Sequence, residues 1–237
     1  MDPDALIKID NLHFSYNGDN ILNGVTIKIL PGEIFATIGP SGSGKSTLLK
    51  LCAGLFYPKG GSIKIKGINI HRAPKDHVRK LRKKIGFIFQ DAALMSNMCI
   101  FDNIALPLRY HTRLSESEIE KRVSSKMNLL QIERSFDHLL PAQLSLGLKK
   151  KVGFARALVM DPEIIFFDEI TASLDSQTVE QITKIIKDLK DDLNVTSVIA
   201  SGDVPVVSSI ADRVALLKNG IIFQTKVSDE SKSAPDR

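Results

Sequence analysis

The sequence predicts an α/β fold in which a parallel core sheet carries an antiparallel β subdomain and an inserted helical subdomain. Three observations predict it. An apolar strand over 34–38 runs through a glycine-rich loop into a helix. Short alternating segments precede that strand, as in an antiparallel β piece. Between 91 and 157 the pattern turns helical, and strand signals then return around a helix in the second half. With 237 residues, 43% hydrophobic and 25% charged, the chain is long enough for one large core or two closely packed lobes. That composition excludes a collagen-like or disordered chain.

Residues 7–14 and 25–30 have the β-branched, alternating character of strands, and the turn formers Asn17-Gly18-Asp19-Asn20 between them predict an antiparallel pair. Residues 34–38 (IFATI) are nearly all apolar, as in a strand covered on both faces, and a helix over 46–55 follows the loop. Alternation resumes over 62–70 through Ile63, Ile65, Ile68 and Ile70; a basic stretch over 72–84 then leads to a strand at 85–89. In the helical segment, Leu114-Ser115-Glu116-Ser117-Glu118 predicts a helix start, because a Ser and a Glu three residues on can satisfy free N–H groups reciprocally. Strands at 164–167 and 196–200 flank a helix over about 176–189, a βαβ unit that implies parallel pairing. Residues 214–217 and 220–225 predict a closing hairpin. The tail 228–237 lacks apolar anchors and is expected to be disordered. The expected domain is 1–227, with a core of 1–90 and 158–227 around a helical subdomain at about 91–157.

The net charge of +5 is small and spread out, so it is read as a solvated surface. Cys52 and Cys99 have neither CxxC spacing nor a neighbouring His, which excludes a zinc site and predicts buried free thiols. The opening Met1-Asp2-Pro3-Asp4 is unlike a secretory leader, and no apolar run approaches the ~18 residues of a membrane span. A cytosolic chain that meets a membrane through a partner is expected.

Gly39-Pro40-Ser41-Gly42-Ser43-Gly44-Lys45-Ser46-Thr47 matches G-x-x-x-x-G-K-S/T. Its glycines let backbone N–H groups turn inward around phosphate oxygens at a positive helix N-terminus, so every residue of the loop is a candidate nucleotide ligand. Lys45 is expected to neutralise the β- and γ-phosphates of ATP, and Ser46 to offer a hydroxyl to Mg²⁺. A Gly-Ser linker is excluded by the strand that enters and the helix that leaves. At the end of Ile164-Ile165-Phe166-Phe167, Asp168 is expected to hold the Mg²⁺ shell and Glu169 to deprotonate or orient the attacking water. Tyr16, beside the first turn, is expected to stack on adenine.

With these motifs in place, nearly the whole chain to about Thr225 resembles the nucleotide-binding subunit of an ABC transporter, and hence the P-loop NTPase fold of the ABC ATPases. The resemblance implies that Gln90 is the Q-loop glutamine, which touches Mg²⁺ and links the core to the helical lobe. Leu144-Ser145-Leu146-Gly147-Leu148 holds the position of the signature motif, whose Ser145 and Gly147 would contact ATP across a dimer. Ser173-Leu174-Asp175 resembles the D-loop, and Ser201-Gly202-Asp203 lies at the switch. In such proteins two subunits sandwich two ATP molecules head to tail.

Two departures stand out against that pattern. The signature usually reads L-S-G-G-Q, whereas Leu146 adds bulk where close approach is expected and Leu148 removes a polar side chain. The switch usually holds a His against the γ-phosphate, whereas Gly202 has no side chain, and none of the five histidines lies nearby in sequence. Slow hydrolysis is therefore expected. Ile170, in place of the usual proline, is a milder change.

A narrower resemblance rests on Phe101-Asp102-Asn103-Ile104-Ala105-Leu106-Pro107-Leu108-Arg109 and on Asp203-Val204-Pro205 with Ser209-Ile210-Ala211-Asp212. These segments look like those of the ATPase of MCE-type lipid transporters, which include the maintenance-of-lipid-asymmetry (Mla) system. The resemblance implies a second ABC ATPase subunit, with a homodimer expected and a heterodimer the alternative. It also implies an integral membrane permease, an MCE-domain protein, a small STAS-like subunit, no nucleic acid, and a peripheral place on the cytoplasmic face of the inner membrane. The rival readings are a nucleotide-gated regulatory subunit with little hydrolysis and the ATPase of a small-solute importer. A soluble ABC protein of DNA repair or translation would need a coiled coil or a second ATPase domain, and 237 residues hold neither.

Overall fold

The structure is a computed structural model and describes residues 5–169, 171–172 and 174–226. Ile170, Ser173 and the tail at 228–237, all named above, lie outside the described residues.

Strands β1 (Ile7–Tyr16) and β2 (Asp19–Ile29) form a hairpin across Asn17-Gly18, where φ of 46° and 98° suits a two-residue turn with both residues left-handed. Strands β4 (Gly60–Ile65) and β5 (Ile68–Asn69) complete a four-stranded antiparallel sheet in the order β2-β1-β4-β5. The core sheet has the order β10-β9-β3-β8-β7-β6, formed by β3 (Ile34–Ile38), β6 (Ile85–Ile88), β7 (Ile164–Asp168), β8 (Thr196–Ser201), β9 (Arg213–Lys218) and β10 (Ile221–Lys226). All its pairs are parallel except the closing hairpin β9-β10.

The apolar runs are explained by burial on both faces of the core sheet. On one face Phe35, Ile164, Phe166, Val198 and Ala200 pack with the antiparallel sheet and with helix α1 (Lys45–Cys52). The alternate residues Ile34, Ala36, Ile165, Phe167 and Ile199 pack with the helices on the other face. Phe35, Phe166 and Phe167 are all but inaccessible, each contributing roughly 1.5–3 kcal/mol of transfer free energy. The second face is covered by α3 (Ile100–His111), α4 (Glu116–Leu129), α5 (Leu146–Leu158), α6 (Ser176–Leu193) and α7 (Val204–Ile210).

Several expectations are corrected here. The first helix stops at Cys52 rather than residue 55, because Gly54, with φ of 69°, lets Leu55 N–H reach the Lys50 carbonyl at 2.8 Å and close the end. The basic stretch contains a helix, α2 (Lys75–Arg82), which buries only Val78 and Leu81. Helix α7 begins on Val204-Pro205, with Asp203 Oδ1 accepting from the Val206 N–H at 3.3 Å. Cys99 is half-buried rather than buried, since it caps α3; Cys52 is buried, and its thiol is pushed up to about 12 by desolvation. The Ser115-Glu118 capping box is present at α4.

Three neighbouring parallel strands end together. Ile38 pairs with Ser201, and Asp168 with Ala200, so the segments after β3, β7 and β8 leave the same carboxyl edge of the sheet. In open α/β sheets that edge is where ligands bind.

Candidate functional site

The loop between β3 and α1 is shaped by residues that tolerate unusual backbone. At Gly39 a Cβ would lie 2.2 Å from the Leu217 carbonyl oxygen, so no side chain fits there. Gly44 caps α1 with φ of 100° and no side-chain bond, which leaves the first N–H groups of the helix free to face a ligand. Ser43 Oγ is buried without a partner. Lys45 is 5% exposed, and its ammonium donates to the carbonyls of Gly39 at 2.9 Å and Pro40 at 3.1 Å. The loop thus offers N–H groups, an unpaired hydroxyl and a cation around one concavity, an arrangement that fits the oxygens of a phosphate chain.

That concavity, of about 320 Å³, is lined by Ser41 to Thr47 together with Tyr16, Ile21, Gln90 and Glu169. Gly39 and Pro40 do not line it, and their carbonyls accept from the Lys45 ammonium. Tyr16 is 42% exposed and meets Phe14 and Phe56 edge-on at 4.7 and 5.8 Å, so it both packs and presents ring surface at the cavity mouth.

The carboxylates arrive from the next strand but one. Asp168 is buried at the end of β7, where Ser46 Oγ donates to its Oδ1 at 2.6 Å. Gln90 and Ser46 also line an adjoining space of about 390 Å³ with Asp168. These are hard oxygen donors of the kind that would hold Mg²⁺ together with phosphate oxygens and water. Among the described residues no group of three or more His, Cys, Asp or Glu could hold a metal alone, so a cation here would depend on a bound phosphate. Glu169 adopts φ of 52°, uncommon for a residue with a side chain, and its N–H donates to the Ala200 carbonyl at 2.9 Å. Its carboxylate lies 3.7 Å from the Lys45 ammonium and accepts from the Gly202 N–H at 3.2 Å. Residue 202 therefore reaches Glu169 through its backbone, and among the described residues a Cβ added there would meet Glu169 Oε1 alone, at 4.0 Å.

Ser145 and Gly147 do not line the loop cavity. They lie at the start of α5, where Ser145 Oγ accepts from the Leu148 N–H at 3.3 Å. Among the described residues a Cβ on Gly147 would meet Leu174 alone, at 3.9 Å, so packing against them does not require glycine. Leu146 is 44% exposed and lines the adjoining space across from Ser46. Asp175 caps α6: it accepts from the Thr178 N–H at 2.8 Å, and that bond holds its carboxyl below the ordinary range.

One residue escaped the reading of the sequence. Lys150 is 6% exposed and donates to the carbonyls of Ala172 and, at 3.5 Å, Glu169. Burial holds its ammonium below the ordinary lysine range, against the pull of the Glu169 carboxylate. The signal was its spacing, four residues after Leu146 and four before Phe154, on the inward face of α5.

Residues 22–172 match the ABC transporter family. The chain is 35% identical over 231 residues to the intermembrane phospholipid transport system ATP-binding protein MlaF of Haemophilus influenzae, covering 98% of this chain and 87% of that one. It is 37% identical over 204 residues to the methionine import ATP-binding protein MetN 2 of Paraburkholderia xenovorans, covering 86% of this chain and about half, 52%, of the relative. Among solved structures, the dimeric post-hydrolysis state of the ATP-binding cassette MJ0796 bound to ADP and Pi superposes with a TM-score of 0.87 at 33% identity, over 94% of this chain and 99% of that one. The fold is that of the ABC ATPases, and the chain belongs to the ABC transporter family as an ATP-binding domain.

Proposed function

We propose that this chain is the ATP-binding and ATP-hydrolysing subunit that powers a membrane permease, working as a pair of subunits that close on two ATP molecules. The observation that carries this reading is the convergence of the phosphate loop, Asp168 and Glu169 on one sheet edge around two adjoining cavities that share Ser46 and Gln90. Residues 1–227 are proposed to form one ATP-binding domain, with the helical subdomain at about 91–157 as its permease-facing part.

Bound Mg²⁺ would supply charge neutralisation to the β- and γ-phosphates, held by Ser46, Asp168 and Gln90. Residues 39–47 bind the phosphates through N–H groups and hydroxyls. Lys45 gives up its loop carbonyls for phosphate oxygens, and the Glu169 carboxylate, 3.7 Å from its ammonium, is the group placed to accept a proton from water. Gly202 N–H holds one oxygen of that carboxylate, which leaves the other for the water. Tyr16 stacks on the base. Ser145 and Gly147 face the ATP of a partner subunit, and the absent side chain at 147 leaves the close approach that a phosphate needs.

For the cargo, phospholipid moved between membranes is the favoured class. The segments at 101–109 and 203–212 support it, as does the Haemophilus relative, whose likeness covers 98% of this chain. That reading puts this chain peripherally at the cytoplasmic face of an inner membrane, with an integral permease, an MCE-domain protein and a STAS-like subunit as partners. A small-solute importer is the second reading, favoured by the methionine and sulfate import relatives at 37% identity. Purifying the tagged chain from its native membranes decides between them. Copurification of a permease with an MCE-domain protein and bound phospholipid is expected; a solute-binding protein, with turnover stimulated by methionine or sulfate, would overturn the lipid reading.

A further inference from the structure

We infer that Lys150 is a positioning residue for Glu169, its ammonium holding the turn after Glu169 so that the carboxylate stays aimed at the phosphate cavity. This rests on the proposed role of Glu169 as the base.

Glu169 holds a left-handed backbone, a conformation that persists only where its surroundings fix it. Its N–H is held by Ala200 and its carboxylate by Gly202 and Lys45; its carbonyl is held by Lys150. The same ammonium takes the Ala172 carbonyl, so one cation spans both ends of the turn. A lysine buried in a helix face is costly unless it is used, and among the described residues Lys150 forms no ion pair that would explain it as a structural bridge. The charge is also well placed, since the cation and the Glu169 carboxylate attract each other across the turn. Leu146, one helical turn earlier, lines the same space as Lys150, Ser46 and Asp168, so the start of α5 and the base are mechanically joined through residue 150.

The test compares the purified full-length chain with Lys150→Met, which keeps length but no donor, and Lys150→Gln, which keeps an N–H donor. A donor that only positions the base should show in kcat and not in KM. The expected order of kcat is parental, then Gln at about threefold lower, then Met at about tenfold or more lower, with KM for ATP within about twofold throughout. Equal kcat in all three, or a change confined to KM, would overturn the inference. If Lys150→Met does not fold, as judged by ATP binding, the Gln variant decides alone: parental kcat refutes, and a loss at constant KM supports. Glu169→Gln is assayed beside them. If it retains parental turnover, the reading of Glu169 has failed; if it is inactive while both Lys150 variants keep parental kcat, only the inference about Lys150 has.

Discussion

At the scale of single residues, the phosphate loop depends on one buried cation. Lys45→Ala removes the only charge that the loop carries, and with it the donors to Gly39 and Pro40. Charge-assisted bonds of this kind contribute roughly 1.5–3 kcal/mol each, so ATP binding at micromolar nucleotide should vanish while thermal unfolding shows an intact fold. Binding that survives in this variant would remove the loop from the site. Glu169→Gln keeps the shape and loses the base; it should bind ATP with near-parental affinity and release no phosphate above background. The departures at 146 and 202 act on the same chemistry. Among the described residues a Cβ at Gly202 would have Glu169 Oε1 alone within 4.0 Å, and Gly202→His combined with Leu146→Gly should raise steady-state turnover about tenfold with little change in ATP affinity. An unchanged rate with binding intact would mean that another group has taken over the role.

At the scale of elements, the link between core and helical lobe is set by one buried amide. Asn103, on α3, accepts from the Met95 N–H at 2.8 Å and donates to the carbonyls of Met95, Met98 and Cys99 at 3.0–3.1 Å, which ties the loop after Gln90 to the lobe. Asn103→Ala takes the side-chain partner from the Met95 N–H and the Met98 carbonyl, while the Met95 and Cys99 carbonyls keep the N–H groups of Met98 and residue 103, and should cost about 1–3 kcal/mol, read as a lower denaturant midpoint. If the midpoint does not move, the loop is held by other means. Elements differ in how legibly the sequence announces them. Strands β3 and β7 were legible because they are covered on both faces and read as apolar runs, and the start of α4 because its capping box is local. Helices α2 and α7 were not, since at eight and seven residues they bury only Val78 and Leu81, and Val207 and Ile210, too few for a period to show.

At the scale of the molecule, the candidate site is one face of a larger arrangement. The residues of the phosphate loop, Asp168 and Glu169 were legible because a spacing carries their chemistry; Lys150 was not, because its role exists only once α5 is laid against the turn after Glu169. Within one chain, Ser145 and Gly147 lie outside the loop cavity, and Gly147 lacks a packing reason to be glycine. Gly147 stands in the first turn of α5, and a close approach from outside the chain would be a physical reason for a residue without a side chain there. In the proposed pair, ATP bridging two subunits would supply that approach, and its hydrolysis would release it. The most direct measurement is the mass of Glu169→Gln in solution by light scattering, with Mg²⁺ and either ATP or ADP. Twice the chain mass of 26.1 kDa is expected with ATP and the single mass with ADP; a mass of 26.1 kDa under saturating, bound ATP would contradict a site completed by a second subunit.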